Sequence, residues 1–223
     1  MFKSFLSNLL HTLYPNQCPY CEIGIKYNML FCSDCEKNLN YDGYVKEFKT
    51  RLNQNFACLS VFKYEGNVKN AVLRYKFAKR RDYGEKFSKL MANCLNKKIN
   101  TANFDIITSV PMDKIKIKKR GYNQSQELAE KLSKFINVKY KQTIRKIKKN
   151  SEQHTLSGKD RRKNCRGIYE IIDPSFIKNK KILICDDVVT TGSTLSECII
   201  SLKRAQITEV FCVTLAISTI DFK

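Results

Sequence analysis

The chain has 223 residues, with 43% hydrophobic side chains and 41 Lys or Arg against 21 Asp or Glu, a net charge of +20. This length and hydrophobic content allow one sizeable domain with its own core plus a small accessory module. A charge this high exceeds what solubility requires and predicts phosphate-rich partners, with nucleic acid the first to consider. No apolar run approaches the roughly 20 residues that span a bilayer. The N-terminus also lacks the pattern of a secretory signal, and we therefore expect a cytoplasmic protein.

The first predicted element is a short amphipathic helix over residues 2–13, where apolar side chains recur at helical spacing. It should end before Pro15, and we expect it to dock on the protein's own core. A membrane-surface role is the alternative. It has little electrostatic support, because Lys3 and His11 are the only basic candidates in this segment.

Four of the ten cysteines form two closely spaced C-x-x-C pairs. They are Cys18, Cys21, Cys32 and Cys35. Each pair offers two thiolates from one tight turn, and four sulfurs complete a tetrahedral zinc site with no open position, so we predict structural zinc. Chance pairing or redox exchange is the alternative, and it does not explain two such units so close together. Residues 1–43, with three basic and four acidic side chains, form this module, and the basic charge belongs to a second domain over 44–223.

The most informative segment is an apolar run of strand length that ends in Asp186 and Asp187 and continues into the loop Thr190–Thr194. A helical pattern follows, and then a second apolar run over 210–216. This strand, helix and strand unit predicts a parallel sheet with the loop at its carboxyl edge, where ligands bind. Gly192 lets the backbone approach an anion, which the surrounding hydroxyls and the start of the helix would bind. Two neighbouring carboxylates suit the vicinal hydroxyls of a ribose, so the segment predicts a ribose phosphate site.

Two alternatives explain less of this segment. An acidic turn that caps a helix accounts for one Asp and one Thr and leaves the rest of the order unexplained. A Walker-type nucleotide site requires G-x-x-x-x-G-K-[ST], which does not occur in the chain.

The same segment resembles the signature of type I phosphoribosyltransferases, in which two acidic residues precede a Thr-Gly-Ser/Thr-Thr loop. The resemblance implies that phosphoribosyl pyrophosphate binds as its Mg²⁺ complex, with Asp186 and Asp187 as catalytic residues that hold the ribose hydroxyls. It also implies that the turn from Ser109 to Met112 holds pyrophosphate. The full set of substrate-binding residues then comprises Asp186, Asp187, Val188, Val189, Thr190, Thr191, Gly192, Ser193, Thr194, Ser109, Val110, Pro111, Arg120 and Arg145.

Further motifs together resemble the ComF family over nearly the whole chain. They include the four-cysteine box, Tyr75-Lys76-Phe77, Val110-Pro111, the run from Arg120 to Ser125, Arg145, Gln153, Leu156, Arg161, Arg162, Asn164 and the Asp186–Thr194 loop. That family is linked to natural transformation. The resemblance implies a role with internalised single-stranded DNA in the cytoplasm and contacts with proteins of the DNA-uptake machinery.

Two basic segments are candidates for polyanion contacts. Residues 139–166 carry eleven Lys or Arg and predict a mobile loop, which the phosphoribosyltransferase resemblance implies would close over the site. A solvated basic loop is the alternative. Residues 69–81 carry six basic residues and no acid, with Tyr75 as the candidate for stacking on a base. The predicted nucleic-acid-binding residues are Lys76, Arg80, Arg81, Lys119, Arg161 and Arg162.

The predicted fold is α/β: a type I phosphoribosyltransferase fold, with a parallel sheet flanked by helices, and a small N-terminal zinc module. Two functions remain open. One is a phosphoribosyl-pyrophosphate-binding protein that handles single-stranded DNA, and the other is a nucleotide-salvage phosphoribosyltransferase without a DNA role. Enzymatic turnover stays undecided, because no segment identifies an acceptor. Glutamine-dependent amidotransferase activity is disfavoured, because the chain starts Met1-Phe2-Lys3 and offers no N-terminal cysteine nucleophile.

Overall fold

The computed structural model describes residues 16–26, 29–39, 42–78, 80–147 and 167–218. The predicted helix over 2–13, the larger part of the basic segment and the candidate residues Arg161 and Arg162 lie outside the described residues.

The described residues contain helices and strands in an alternating order typical of an α/β domain. The helices are α1 (Ser33–Lys37), α2 (Gly66–Phe77), α3 (Tyr83–Lys98), α4 (Lys114–Arg120), α5 (Gln124–Ile136), α6 (Pro174–Ile177) and α7 (Ser193–Arg204), with a 3-10 turn at Thr101–Asn103. The strands are β1 (Tyr44–Lys49), β2 (Asn55–Lys63), β3 (Ile106–Ser109), β4 (Ile144–Lys146), β5 (Tyr169–Ile171), β6 (Lys181–Val189) and β7 (Glu209–Ile217). None of these helices is long and apolar enough to cross a bilayer.

A five-stranded sheet in the order β1-β2-β7-β6-β3 forms the centre of the fold. Strands β2, β7, β6 and β3 are parallel, as the sequence predicts, so their carboxyl ends meet at one edge. Strand β1 differs, because it runs antiparallel to β2 after a tight reversal in which the Thr50 amide donates to the Gln54 carbonyl oxygen at 2.8 Å. The sheet is therefore mixed, with one antiparallel strand at its edge. Strands β4 and β5 form a separate antiparallel pair.

Apolar side chains pack on both faces of the sheet. One core cluster contains residues of α2, α3 and α5, and the other contains residues of α7 and the β4–β5 pair. Residues 182–185 of β6 are completely buried, which explains their uninterrupted apolar run, because a parallel strand covered on both faces has no polar side. The predicted α/β fold with helices on the sheet is confirmed.

The cysteine module packs against the first of these cores. The Tyr20 ring contacts Phe31 and Phe62, with centroids 4.8 and 6.1 Å apart. Two cations of the helices bind backbone carbonyl oxygens of the module: Arg74 binds those of Pro19 and Tyr20 at 3.1 and 3.2 Å, and Lys86 binds that of Gln17 at 2.8 Å. The module is therefore docked both by aromatic packing and by charge-assisted hydrogen bonds.

Candidate functional site

Two adjacent carboxylates lie in the second half of β6, at the edge where the parallel strands end. Asp186 and Asp187 are 9% and 8% exposed. The sequence pattern predicts that the strand ends at these two carboxylates. Strand β6 instead continues to Val189, which pairs with Ile217. Asp186 Oδ1 accepts hydrogen bonds from Ser125 Oγ at 2.6 Å and from the Asp187 amide at 2.9 Å. The carboxylate of Asp186 is therefore held in position by two hydrogen bonds.

The electrostatics of this pair are set by burial and by one lysine. Burial, reinforced by the neighbouring charge of Asp187, raises the pKa of Asp186 to about 7. Lys76 Nζ lies 2.8 Å from Asp187 Oδ1, and its side chain is only 16% exposed. Among the residues that the structure describes, Lys76 is the one cation within ion-pairing distance of the two carboxylates.

The predicted phosphate loop follows directly and begins a helix. Gly192 has a φ of +72° and is the N-cap of α7, which starts at Ser193. The hydroxyls of Thr191 and Ser193 lie 2.6 Å apart, and the Ser193 amide donates to Thr191 Oγ1 at 3.3 Å. The amides of the first helical turn and the positive end of the helix dipole face this loop. Hydroxyls, amides and helix dipole together provide the donors that a phosphate group requires.

The turn after β3 lies beside the same edge. Ser109 pairs with Cys185 of β6, and the Val110 amide donates to the Cys185 carbonyl oxygen at 3.1 Å. Ser109 Oγ donates to Gln142 Oε1 at 2.6 Å, and Asn123 Nδ2 donates to the Val110 carbonyl oxygen at 3.1 Å. The predicted pyrophosphate turn with Ser109, Val110 and Pro111 therefore follows the strand next to the carboxylates.

The two predicted arginines have different surroundings. The Arg120 guanidinium lies 4.5 Å from the centroid of the exposed Phe77 ring and donates to Gln124 Oε1 at 3.2 Å. Gln124 Nε2 in turn donates to the Lys76 carbonyl oxygen at 3.3 Å, so Gln124 links Arg120 to the backbone of Lys76. Arg145 instead forms an ion pair with Glu170 across β4 and β5, with its side chain 58% exposed.

The residues predicted to contact nucleic acid differ in their ion pairs and in their exposure. Arg80 is bound to Asp82 and hydrogen-bonds Gln17, and Arg81 is bound to Glu127. Lys76 faces Asp187, as described above. Lys119 is exposed on α4, a helix in which five of seven residues are basic and none is buried.

The prediction that Tyr75 is available for stacking is wrong. Its side chain is completely buried, and its hydroxyl donates to the Gln124 carbonyl oxygen at 3.2 Å. Tyr75 continues the apolar face formed by Ala71 and Val72, whereas Phe77 at the end of the helix turns outward and is 61% exposed. The exposed aromatic ring of this segment is therefore Phe77.

The predicted four-cysteine cluster is present. The Sγ atoms of Cys18, Cys21, Cys32 and Cys35 all lie within 4.8 Å of one another. Zinc–sulfur bonds of about 2.3 Å in a tetrahedron would bring such atoms to about 3.8 Å, so this donor set fits a zinc ion with little adjustment. Carboxylate oxygens are the ligands that Mg²⁺ prefers, and Asp186 and Asp187 offer them, but Lys76 already binds one oxygen of Asp187.

Glu197 is a further residue of the structure around the site, and no motif in the sequence predicts it. Glu197 of α7 is 4% exposed and accepts from Arg51 Nε at 2.6 Å and from the Gly167 amide at 3.2 Å. It thereby joins the helix of the phosphate loop to the β1–β2 turn and to the chain before β5. A charged residue on the apolar face of a predicted helix is the one signal that could have pointed to it.

Comparison with known proteins shows similarity to phosphoribosyl transferase domains and to competence proteins. Residues 86–219 match the model of the phosphoribosyl transferase domain. Competence protein F of Haemophilus influenzae is 24% identical over 209 residues, which cover 90% of this chain and 90% of that protein. DNA utilization protein YhgH of Escherichia coli O157:H7 is 27% identical and covers 81% of this chain and 74% of its own. Competence protein ComFC of Bacillus subtilis is 24% identical, with coverages of 80% and 68%. Among solved structures, a hypoxanthine phosphoribosyltransferase from Staphylococcus aureus is 18% identical, covers 62% of this chain and 70% of that one, and has a TM-score of 0.40.

Proposed function

This chain belongs to the phosphoribosyl transferase domain family and, within it, to the ComF family, and from that premise we propose that it binds phosphoribosyl pyrophosphate and handles single-stranded DNA during competence. The observation that carries the first half is the arrangement at the sheet edge. A buried carboxylate pair, a hydroxyl-rich loop at a helix N-terminus and a second turn after the adjacent strand lie side by side.

Each part suits one portion of the ligand. Asp186 and Asp187 accept hydrogen bonds from the ribose hydroxyls, and the Thr190–Thr194 loop binds the 5′-phosphate. The Ser109–Met112 turn binds the pyrophosphate, and nearby basic side chains stabilise its charge. Mg²⁺ would be held mainly by oxygens of the ligand itself. Transfer of the ribose would require an acceptor nucleophile in addition to these contacts.

The proposed role with single-stranded DNA is supported by the position of basic side chains in the structure. Helix α4 follows the carboxyl end of β3, so its exposed lysines lie at the edge that carries the phosphate loop. The exposed Phe77 ring lies against Arg120 at the end of that helix. A basic surface with an exposed ring is what single-strand binding uses, because charge follows the backbone and rings stack on bases. The net charge of +20 fits the same role.

Calorimetry with phosphoribosyl pyrophosphate and Mg²⁺ tests the first half. We expect the wild-type protein to bind and the Asp186→Asn, Asp187→Asn double variant to lose binding while its melting curve stays cooperative. Asp173→Asn, at the exposed N-cap of α6, is the matched control and should bind as the wild type does. Binding retained by the double variant would sink the site assignment.

Fluorescence anisotropy with oligo(dT) at several salt concentrations tests the second half. Affinity should fall with salt with a slope of about −0.7 per phosphate contacted. Replacing Lys114, Lys116, Lys118 and Lys119 by Gln should flatten that slope. The matched control removes the same charge at the opposite edge of the sheet, with Lys97, Lys98, Lys178 and Arg204 changed to Gln. Equal effects of the two quadruple variants would show that only net charge matters and contradict an α4 interface.

Nucleotide salvage without a DNA role is the second candidate function, and the phosphoribosyl transferase domain match favours it. It predicts that affinity for phosphoribosyl pyrophosphate is retained while oligo(dT) binding is absent near physiological salt. The same pair of measurements therefore separates the two functions.

A further inference from the structure

Lys76 comes from a distant part of the chain and forms an ion pair with one member of the buried carboxylate pair. Lys76 is in the last turn of α2, and its ammonium group lies 2.8 Å from Asp187 Oδ1. Both side chains are largely buried, at 16% and 11% exposed, so solvent screens this pair much less than it screens a surface ion pair. Asp186 lies directly beside them.

Three hydrogen bonds fix the position of the backbone around Lys76. The buried Tyr75 hydroxyl donates to the Gln124 carbonyl oxygen, and the Tyr122 hydroxyl donates to the Tyr75 carbonyl oxygen. Gln124 Nε2 donates to the carbonyl oxygen of Lys76 itself at 3.3 Å. The backbone on both sides of the peptide bond between Tyr75 and Lys76 is therefore tied to the start of α5. A side chain on a backbone held in this way loses little further freedom when it pairs with Asp187.

The charge balance explains why a cation is needed here. Two ionised carboxylates side by side with low exposure repel each other and lose hydration, which is costly unless a positive charge compensates. Divalent metal ions are one common solution, since carboxylate oxygens bind them well. Lys76 supplies the positive charge from the protein. Its ammonium group occupies space next to Asp187 Oδ1, and it would repel a second cation that approached the pair.

We propose that Lys76 is the resident cation of the Asp186–Asp187 pair and takes the place of a metal ion that these carboxylates would otherwise bind in the ligand-free protein. This inference concerns the protein alone and does not depend on which ligand the site binds. Lys76 is thus a positioning residue that keeps a metal ion away from Asp187.

The test uses Mn²⁺ as the probe and the full-length zinc-loaded protein, with free Mn²⁺ measured by electron paramagnetic resonance. In the wild-type background, Asp187→Asn should leave Mn²⁺ binding unchanged. Lys76→Met retains most of the stem of the side chain and removes the charge. This variant should bind Mn²⁺ through Asp187 at least about tenfold more tightly than the wild type binds it. Adding Asp187→Asn to Lys76→Met should abolish the gain. Lys76→Gln repeats the test with a polar side chain.

Two control variants separate this role from a general loss of positive charge. Lys76→Arg keeps a cation beside Asp187 and should behave as the wild type. Lys69→Met removes an exposed lysine from the same helix and should also leave Mn²⁺ binding unchanged. A wild type that already binds Mn²⁺ through Asp187 would overturn the proposal. So would folded Lys76→Met and Lys76→Gln proteins that gain no Mn²⁺ affinity.

Failure of this inference is distinguishable from failure of the proposed function. A wild type that binds no phosphoribosyl pyrophosphate contradicts the proposed function, and the Mn²⁺ results still decide the role of Lys76. A wild type that binds phosphoribosyl pyrophosphate and also binds Mn²⁺ alone at Asp187 contradicts only the inference.

Discussion

Gly192 of the phosphate loop lies against the ring of Phe48, so that a Cβ built on this glycine would be 2.8 Å from Phe48 Cδ1. Phe48 belongs to the antiparallel edge strand β1 and stacks on Phe56 at a centroid distance of 5.4 Å. The edge strand therefore supports the loop from behind, and the glycine is required both by this contact and by its φ of +72°.

Gly192→Ala should lower the free energy of unfolding by about 1–2 kcal/mol from the left-handed backbone alone, and by more because the Phe48 ring must move. A double-mutant cycle with Phe48→Leu, measured by urea unfolding, separates the two causes. The cost of Gly192→Ala should be smaller in the Phe48→Leu background. An unchanged cost would show that the ring is displaced freely and does not restrict the loop.

Asp186→Asn should stabilise the ligand-free protein at alkaline pH. Burial raises the pKa of Asp186 from 3.8 to about 7, so the folded state takes up a proton between these values and loses stability as pH rises through this window. Asn retains an oxygen for the bonds from Ser125 and the Asp187 amide and carries no charge. Urea unfolding at pH 8 should show a gain of about 1 kcal/mol or more, with little difference near pH 4. Equal effects at both pH values would contradict this assignment of the titration.

Cys32→Ser should release the metal from the cysteine module. We expect about one zinc ion per chain in the wild type by elemental analysis and a clear loss in the variant, with a lower melting temperature, because the module is too small to fold on an apolar core alone. Cys94→Ser, which changes a buried thiol of α3 outside the cluster, is the control and should keep its zinc. A wild type without zinc would refute the metal assignment.

Tyr75→Phe should cost about 0.5–1.5 kcal/mol, the usual contribution of one buried hydrogen bond, because it removes the bond to the Gln124 carbonyl oxygen. The ring contact with Phe87, at a centroid distance of 5.7 Å, is retained. Tyr44→Phe on the half-buried start of β1 is the matched control and should cost less. Thermal unfolding should show that Tyr75→Phe is less stable than Tyr44→Phe and than the wild type. Equal stability of the wild type and Tyr75→Phe would contradict this prediction.

The sequence predicts the parts of the fold whose signals are local. The continuous apolar run of β6, the two carboxylates after it and the glycine in the loop are adjacent in the chain, so strand, site and helix start could be predicted together. The four-cysteine cluster is likewise encoded by short spacings. Both were predicted without any knowledge of the rest of the molecule.

The missed features depend on contacts between distant segments. The antiparallel direction of β1 cannot be predicted from its own residues, because the same side chains suit either pairing. Lys76 was assigned to nucleic acid from its basic neighbours, and only the tertiary structure brings it to Asp187. Tyr75 was expected to be exposed and is buried, because it lies on the same face of α2 as Ala71 and Val72, which packs on the core.

The cysteine module is held to the domain through main-chain oxygens of Gln17, Pro19 and Tyr20. Every residue type presents the same carbonyl oxygen, so substitutions at these three positions leave the hydrogen bonds from Arg74 and Lys86 available. The two cations have no such freedom, since each bond depends on the identity of its side chain. As far as these hydrogen bonds are concerned, the three carbonyl positions can therefore diverge in related chains faster than the positions of Arg74 and Lys86, whereas Tyr20 is also constrained by the packing of its ring on Phe31 and Phe62.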